Sequence, residues 1–266
     1  MLPFFYISAF NKDQPEIFLD EDNSRHIVQV LRMQPGDPLQ LTDGKGALLT
    51  ALVVDAHKKK CLVRIQTTTL VPPYERKIAI AISPVKNASR FEWFLEKSTE
   101  IGVSEIIPLL CERTERQHLR PDRLHNILVS ALLQSQQAWL PVLHPPAPFA
   151  QLVTGTSYAQ RLIAHCLEEP RPTETLAGWR NRQSAAGSSA ARSSATGSTA
   201  GSTTQGPDQA PAPAQTTLIL IGPEGDFSPE EVTTALKNGF VPVTLGENRL
   251  RTETAGVVAA TLLCIG

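Results

Sequence analysis

Two patterns of apolar spacing divide the chain. Up to Pro72 the apolar residues fall in short runs: "FFYIS" from Phe4, "PLQLTD" from Pro38, "ALLTALVVDA" from Ala47 and "CLVRIQT" from Cys61. Runs of this length, rich in β-branched and aromatic residues, read as strands. Asp43-Gly44-Lys45-Gly46 between two of them predicts a hairpin. One stretch interrupts them: Ile27, Val30 and Leu31 keep helical spacing until Pro35-Gly36 stops it. Residues 1–72 therefore read as a small barrel-like β domain. Pro72-Pro73 breaks the pattern and predicts a hinge.

From Arg76 the spacing changes. "KIAIAIS", "SEIIPLL", "RLIAHC", "TLILIG" and "VPVTLG" are continuous apolar runs separated by helical stretches. Such runs suit strands buried on both faces, so residues 73–266 predict an α/β domain around a parallel sheet. Ser89-x-x-Glu92 predicts a capping box for a helix with Phe91, Phe94, Leu95 and Ile101 on one face and Gly102 at its end. Pro121 opens a second helix, with Leu124, Ile127, Leu128 and Ala131 on its apolar face. Ser228-Pro229-Glu230-Glu231 is a second capping box, and Gly239 ends that helix. The last helix, "ETAGVVAATLLC", is apolar nearly all round, which predicts burial in the sheet packing or in a subunit interface. Residues 181–215 are almost entirely Ala, Gly, Ser, Thr, Pro and Gln. That composition cannot offset its ordering entropy, so it reads as a flexible surface insertion with no function assigned.

Composition narrows the class. The chain has 266 residues, 41% hydrophobic and 19% charged, with a net charge of −1. This is an ordinary globular balance with room for two domains. No apolar run approaches the roughly 18–20 residues that span a bilayer. The apolar start "MLPFFYISAFNKD" lacks a basic region and a cleavage site, so it reads as a strand, and a cytoplasmic protein is expected. Cys61, Cys111, Cys166 and Cys264 are scattered without metal-ligand spacing, and no metal is expected. An RNA partner would have to meet positive charge that is local, not global.

Three stretches could carry chemistry. In "LIGPEGDFSPEE" a strand runs into Gly222, Pro223, Glu224 and Gly225 and then into a helix. That places small residues at the carboxyl edge of a parallel sheet, where α/β folds bind ligands. The spacing is neither G-x-G-x-x-G nor the P-loop pattern. A tight turn before a well-capped helix is the plainer alternative. "LGENRLRTETAG" repeats the arrangement, with Gly246, Arg249, Arg251 and Glu253. Here the alternative is a solvated loop with a surface ion pair, worth at most about 1 kcal/mol. "FEWFLEKSTEIGVSEIIPLLCERTER" supplies Glu96, Lys97 and Glu100, then Arg113 and Arg116 after a strand. Arginine suits phosphate because its planar fork donates two bonds at once. The expectation is that these three strand ends converge on one sheet edge.

Taken in order, the stretches "RHIVQVLRMQPGD", "LTDGKGALLTA", "EKSTEIGVSEIIPLLCERTE", "QSQQAWLP", "IGPEGDFSPEE" and "LGENRLRTETA" resemble one family. It is the bacterial 16S ribosomal RNA uracil N3-methyltransferases (RsmE) of the SPOUT superfamily, and the likeness covers nearly everything except the insertion. The resemblance implies an N-terminal PUA-like barrel that helps hold RNA. It implies a C-terminal α/β domain with a deep trefoil knot whose loops bind S-adenosylmethionine, and a homodimer. Gly222, Pro223, Glu224 and Gly225 match the first cofactor loop. Leu245, Gly246, Asn248, Leu250 and Arg251 match the second, followed in step by Thr252, Glu253, Thr254 and Ala255. Thr99 to Val103 match the family's T-E-[LI]-G-V element. This chain departs from the pattern in three places. Asp226 stands where a second glycine is usual, with a negative charge that suits a sulfonium. Leu133 replaces the usual Glu before Gln-Ser, and Gln136-Gln137 replaces a basic residue.

Within that reading Arg251 is the residue expected to orient or stabilise the developing uracil anion, with Arg249 second. Glu253 either positions an arginine, accepts a proton or simply suits the helix dipole, and the general base stays open. Arg25, His26, Arg32, Arg113 and Arg116 are the expected RNA contacts, with small-subunit RNA as partner. A non-catalytic RNA-binding module would carry damaged cofactor loops, but the glycines and Arg251 are intact here. A methyltransferase acting on transfer RNA is disfavoured by the N-terminal stretches.

Overall fold

The structure is a computed structural model describing residues 2–115, 118–167, 172, 174–183 and 215–265. Its contacts form two compact units, Met1–Pro73 with Pro121–Pro141, and Tyr74–Arg120 with Val142–Gly266.

The first unit is built on five strands: β1 (Phe4–Tyr6), β2 (Glu16–Phe18), β3 (Pro38–Thr42), β4 (Ala47–Asp55) and β5 (Leu62–Leu70). They pair in the order β1-β3-β4-β5-β2. Alternation along β4 turns Ala47, Leu49, Ala51 and Val53 into the core, as a half-buried strand requires. The expected β3–β4 hairpin forms, and Asp43 Oδ1 stabilises it by accepting from the N–H groups of Lys45 (2.8 Å) and Ala47 (3.0 Å). The expected helical stretch is α1 (Glu21–Arg25), capped by Asp20, which runs into a π-helical turn over His26–Val30. β2 was not legible in the sequence, being only three residues long.

Helix α3 (Pro121–Ser135) comes after Pro73 in the chain but packs with this first unit. Its His125 ring meets Tyr6 edge-on at 6.2 Å. The segment after it lies on the β3–β4 hairpin: Gly46 N–H donates to Ala138 O at 2.9 Å, and Leu140 N–H to Gly44 O at 2.8 Å. A Cβ on Gly46 would sit 2.6 Å from the Trp139 ring, so the hairpin glycine leaves room for the tryptophan.

The second unit contains β6 (Arg76–Ile82), β7 (Glu105–Leu110), β8 (Val142–Leu143), β9 (Ala147–Pro148), β10 (Gln160–Ala164), β11 (Gln215–Ile221) and β12 (Val241–Val243). Every pairing is parallel, in the order β12-β10-β11-β6-β7-β8, with β9 beside β7. The five apolar runs became β6, β7, β10, β11 and β12, whereas the two-residue β8 and β9 left no pattern to read. The helices are α2 (Ala88–Ile101), α4 (Phe149–Gly155), α5 (residues 176–183), α6 (Pro229–Lys237) and α7 (Thr252–Cys264). Phe149, Phe227, Val232 and Ala235 bury one sheet face against Ala79, Ala81, Leu218 and Leu220. On the other face α7 packs on α2 and β6 and buries Gly256, Ala259, Ala260 and Leu263, while Val257, Val258 and Leu262 are half-buried.

Two helix ends repay a closer look. α2 is capped by Asn87, whose Oδ1 accepts from Ser89 N–H at 3.0 Å, which corrects the capping box expected at Ser89. Its other end is a Schellman stop. Gly102 has φ 96, with Val103 N–H donating to Ser98 O (3.0 Å) and Gly102 N–H to Thr99 O (3.1 Å). The T-E-I-G-V element is thus a helix terminator. α6 carries the expected Ser228–Glu231 capping box. The helix of α5 covers residues 181–183 of the expected insertion, and residues 184–214 lie outside the described residues.

Candidate active site

Three neighbouring strands run out on the same edge: β10 at Ala164, β11 at Ile221 and β12 at Val243. Their exit loops enclose a cavity of about 310 Å³, the size of a small-molecule site.

The β11 exit forms the first wall. Asp226 N–H donates to Pro223 O at 2.9 Å and closes a tight turn. Phe227 then plunges into the core, where it is fully buried against Phe149. A Cβ on Gly222 would lie 3.1 Å from that Phe227 ring and 3.2 Å from its backbone nitrogen, so a side chain there would crowd the turn. Gly222, Pro223 and Glu224 line the cavity. Gly225 faces elsewhere: its carbonyl oxygen accepts from Arg113 at 2.7 Å. Glu224 Oε1 accepts from Lys86 N–H at 3.0 Å. Asp226 has φ 63, so the backbone keeps the left-handed conformation a glycine would adopt.

The β12 exit is the second wall. Leu245, Gly246 and Asn248 line the cavity, followed by Arg249, Leu250 and Arg251. Gly246 has φ 146, which favours glycine. Arg251 is the N-cap residue of α7, and its side chain makes no capping bond. The first turns of α7 add Thr252, Glu253 and Ala255, while Thr254 stays outside the lining. Glu253 is only 6% exposed. Its Oε1 lies 3.7 Å from Arg90 Nε, and its Oε2 has no hydrogen-bond partner among the described residues. The position also suits a carboxylate, since the helix dipole is positive there.

The three expected strand ends do gather on one sheet edge, but the third wall of the cavity lies at a fourth. It comes from β10, through His165 and Cys166, with Arg90 of α2, and not from the end of β7. His165 is 4% exposed, and neither ring nitrogen has a partner among the described residues. Burial lowers its pKa, and the charge of Asp226 opposes that shift. Burial also pushes the Cys166 thiol up, with Asp226 adding to the shift and Arg249 opposing it. The apolar run "RLIAHC" ends at the carboxyl edge of the sheet as the run before Gly222 does, and that shared position could have found this wall. Arg90 gave no signal, because only the packing of α2 brings it here.

Of the five expected RNA contacts, Arg25, His26 and Arg32 belong to the first unit and Arg113 to the second. Arg25 pairs with Glu21 at 2.8 Å and Asp22 at 3.8 Å. His26 stacks edge-on against Phe5 at 5.6 Å. Arg32 is exposed and follows the π turn with φ 55. Arg113 braces the first wall, and Arg116 lies outside the described residues.

The cavity thus sets arginines (Arg90, Arg249, Arg251) beside carboxylates (Glu224, Asp226, Glu253) and bare backbone. Such a lining fits a ligand carrying a carboxylate, positive charge and a flat base, which describes S-adenosylmethionine. Glu253 Oε2 and the His165 nitrogens are buried polar atoms among this lining that lack partners.

Comparison with known proteins agrees. Residues 72–264 match a family described as an RNA methyltransferase domain, and residues 19–66 one described as an RNA methyltransferase PUA domain. The ribosomal RNA small subunit methyltransferase E of Synechocystis is 30% identical over 237 residues, covering 88% of this chain and 68% of its own. Its namesake from Buchnera aphidicola of Acyrthosiphon pisum is 28% identical, covering 92% and 86%. Among solved structures, a probable rRNA-methyltransferase from Porphyromonas gingivalis superposes with a TM-score of 0.78 at 38% identity, covering 98% and 96%. A Legionella pneumophila protein in complex with bound S-adenosylmethionine gives 0.76 at 28%, covering 99% and 97%.

Fold and cavity together therefore define an RNA methyltransferase that uses S-adenosylmethionine, with a PUA-like first unit. Within that class the chain belongs to the ribosomal RNA small subunit methyltransferase E family.

Proposed function

We propose that this chain methylates N3 of a uridine in 16S ribosomal RNA of the small subunit. The reading is carried by the meeting of the β10, β11 and β12 exit loops on one cavity that mixes backbone, guanidinium and carboxylate groups. When bound, S-adenosylmethionine supplies an electrophilic methyl group on a sulfonium.

The residues divide the remaining work. Gly222, Pro223 and Glu224 on one wall, and Leu245, Gly246, Asn248, Leu250, Thr252 and Ala255 on the other, hold the cofactor, largely through backbone groups, while Gly225 and Thr254 shape the two loops from outside the lining. Holding sulfur, methyl and acceptor in line is worth about 7–11 kcal/mol of barrier in well-oriented reactions. Arg251, exposed at the cavity with no side-chain cap to make, orients the uracil carbonyls and stabilises the anion left when N3 loses its proton. Arg249 supports the same charge. Glu253 holds Arg90 in place, and its buried position favours that duty over proton transfer.

Arg25, His26, Arg32, Arg113 and Arg116 contribute phosphate contacts, so RNA affinity falls with salt despite the net charge. In this reading the domains divide as 1–72 for RNA and 73–266 for methyl transfer. The exit loops form a deep trefoil knot, and a homodimer acts in the cytoplasm.

Replacing Arg251 with alanine tests the assignment. Methylation of small-subunit RNA should fall at least a hundredfold while calorimetric affinity for S-adenosylmethionine changes little. Undiminished turnover would remove Arg251 from the reaction.

A further inference from the structure

We propose that Asp226 is a positioning residue that clamps the first wall of the cofactor cavity to the third. The proposal rests on the cofactor reading above. The Asp226 carboxylate reaches two segments at once. Oδ2 accepts from Cys166 N–H, beyond the end of β10, and Oδ1 accepts from Phe227 N–H, beyond the turn that leaves β11, both at 2.8 Å. These segments are separated by sixty residues of chain, yet they form adjoining walls of one cavity.

The backbone makes the case stronger. With φ 63, residue 226 is in the left-handed region, where an L side chain is strained and glycine is not. If only the path of the chain mattered, glycine would serve better. Asparagine and aspartate are the side chains that tolerate this region best, and only a side chain can bridge to Cys166. Both bonds are charge-assisted and short, so together they outweigh the strain. Opening the clamp would leave the turn from Pro223 to Asp226 braced by Arg113 and Lys86 but no longer tied to the Cys166 segment. The cavity would then have to be ordered again each time a ligand binds, at a cost in affinity.

Three proteins decide it: the unaltered chain, Asp226→Gly and Asp226→Asn. Calorimetry measures binding of S-adenosylmethionine and of its neutral thioether product, S-adenosylhomocysteine. Amide exchange at Cys166 is followed without ligand, and thermal unfolding checks the fold. Asp226→Gly keeps the backbone and loses the clamp. It should weaken both ligands roughly tenfold, the size of one lost charge-assisted hydrogen bond, and speed exchange at Cys166. Asp226→Asn tolerates the same φ and keeps one acceptor oxygen, enough for the bond that bridges to Cys166 but not for the Phe227 bond as well, since its NH2 only donates. It should hold binding within about threefold of the unaltered chain and keep most of the protection, a rescue that general loosening would not produce.

If Asp226→Gly binds and exchanges like the unaltered chain, the clamp is overturned. It is equally overturned if both variants lose only the cationic ligand, because Asp226 would then act through charge alone. Failure of the unaltered chain to bind either ligand would refute the cofactor reading instead, and exchange at Cys166 would still decide the clamp.

Discussion

Arg113 donates to the carbonyl oxygen of Gly225 at 2.7 Å, so a residue beyond the end of β7 holds a loop that leaves β11. Gly225 has no room to spare on that side, since a Cβ there would lie 3.3 Å from the Arg113 side chain. The bond is to a cation and therefore stronger than a neutral one, but it lies at the surface. Arg113→Ala should weaken S-adenosylmethionine binding by roughly three- to tenfold, as read by calorimetry. Arg113→Lys should recover only part of this, because a point charge does not reproduce the planar donor.

Glu253 is a buried carboxylate whose cationic neighbour is Arg90. Arg90→Ala leaves that charge to the helix terminus alone. With Arg90 43% exposed and 3.7 Å away, the loss should be about 1–2 kcal/mol, less than for a fully buried pair. Adding Glu253→Gln should return most of it. Urea unfolding of the two single variants and the double variant measures the coupling, and simple additivity would mean the pair does not interact.

Gly256 sits within α7 where the helix crosses α2 and β6. In an open helix Gly→Ala gains about 1 kcal/mol from propensity. Here the new Cβ would fall 2.6 Å from Phe94 and 2.7 Å from Ile82, both in a packed layer. Overpacking costs about 1–3 kcal/mol and should win. Gly256→Ala is therefore expected to lower the unfolding midpoint, and a raised midpoint would show that the layer can yield.

His165 predicts a pH dependence. Burial lowers its pKa in the folded state below the ordinary 6.5, against the pull of Asp226. As pH falls through that ordinary value the unfolded chain takes up the proton first, so stability drops on acidification and is complete above it. Thermal unfolding between pH 7.5 and 5.5 (roughly one unit either side of the unperturbed pKa) should show the loss. His165→Gln should flatten this part of the profile. An identical slope in the variant would place the titration elsewhere.

The sequence displayed the parts of this site that depend on local backbone chemistry. Gly222, Pro223 and Gly246 were legible because turns at strand ends restrict which residues fit. The Ser228 capping box was legible because its two partners are three residues apart. Arg90, His165 and the Cys166 amide were not, since they reach the cavity only through strand order and helix packing. The strand order β12-β10-β11 follows neither chain order nor any local signal. Likewise α3 has the spacing of an ordinary amphipathic helix, and nothing in that spacing says which core it covers. Its attachment is written in Tyr6, Gly44 and Gly46, more than seventy residues away. The cap of α2 was misplaced by two residues because Asn87 and Ser89 are both good capping side chains.

The hydrogen bond from Gln160 to Gln183, at 3.1 Å, ties the end of α5 to the first residue of β10. β11 begins at Gln215, beside that same margin, since Gln160 is in register with Thr217. The chain therefore leaves and re-enters the sheet at neighbouring points, one strand length, or about 20 Å, from the edge where the exit loops gather. A fluorescent protein or affinity handle inserted between Gln183 and Gln215 would be flanked by these two described anchor points at the margin opposite the cavity. That makes this the natural port for a label that leaves the cavity undisturbed.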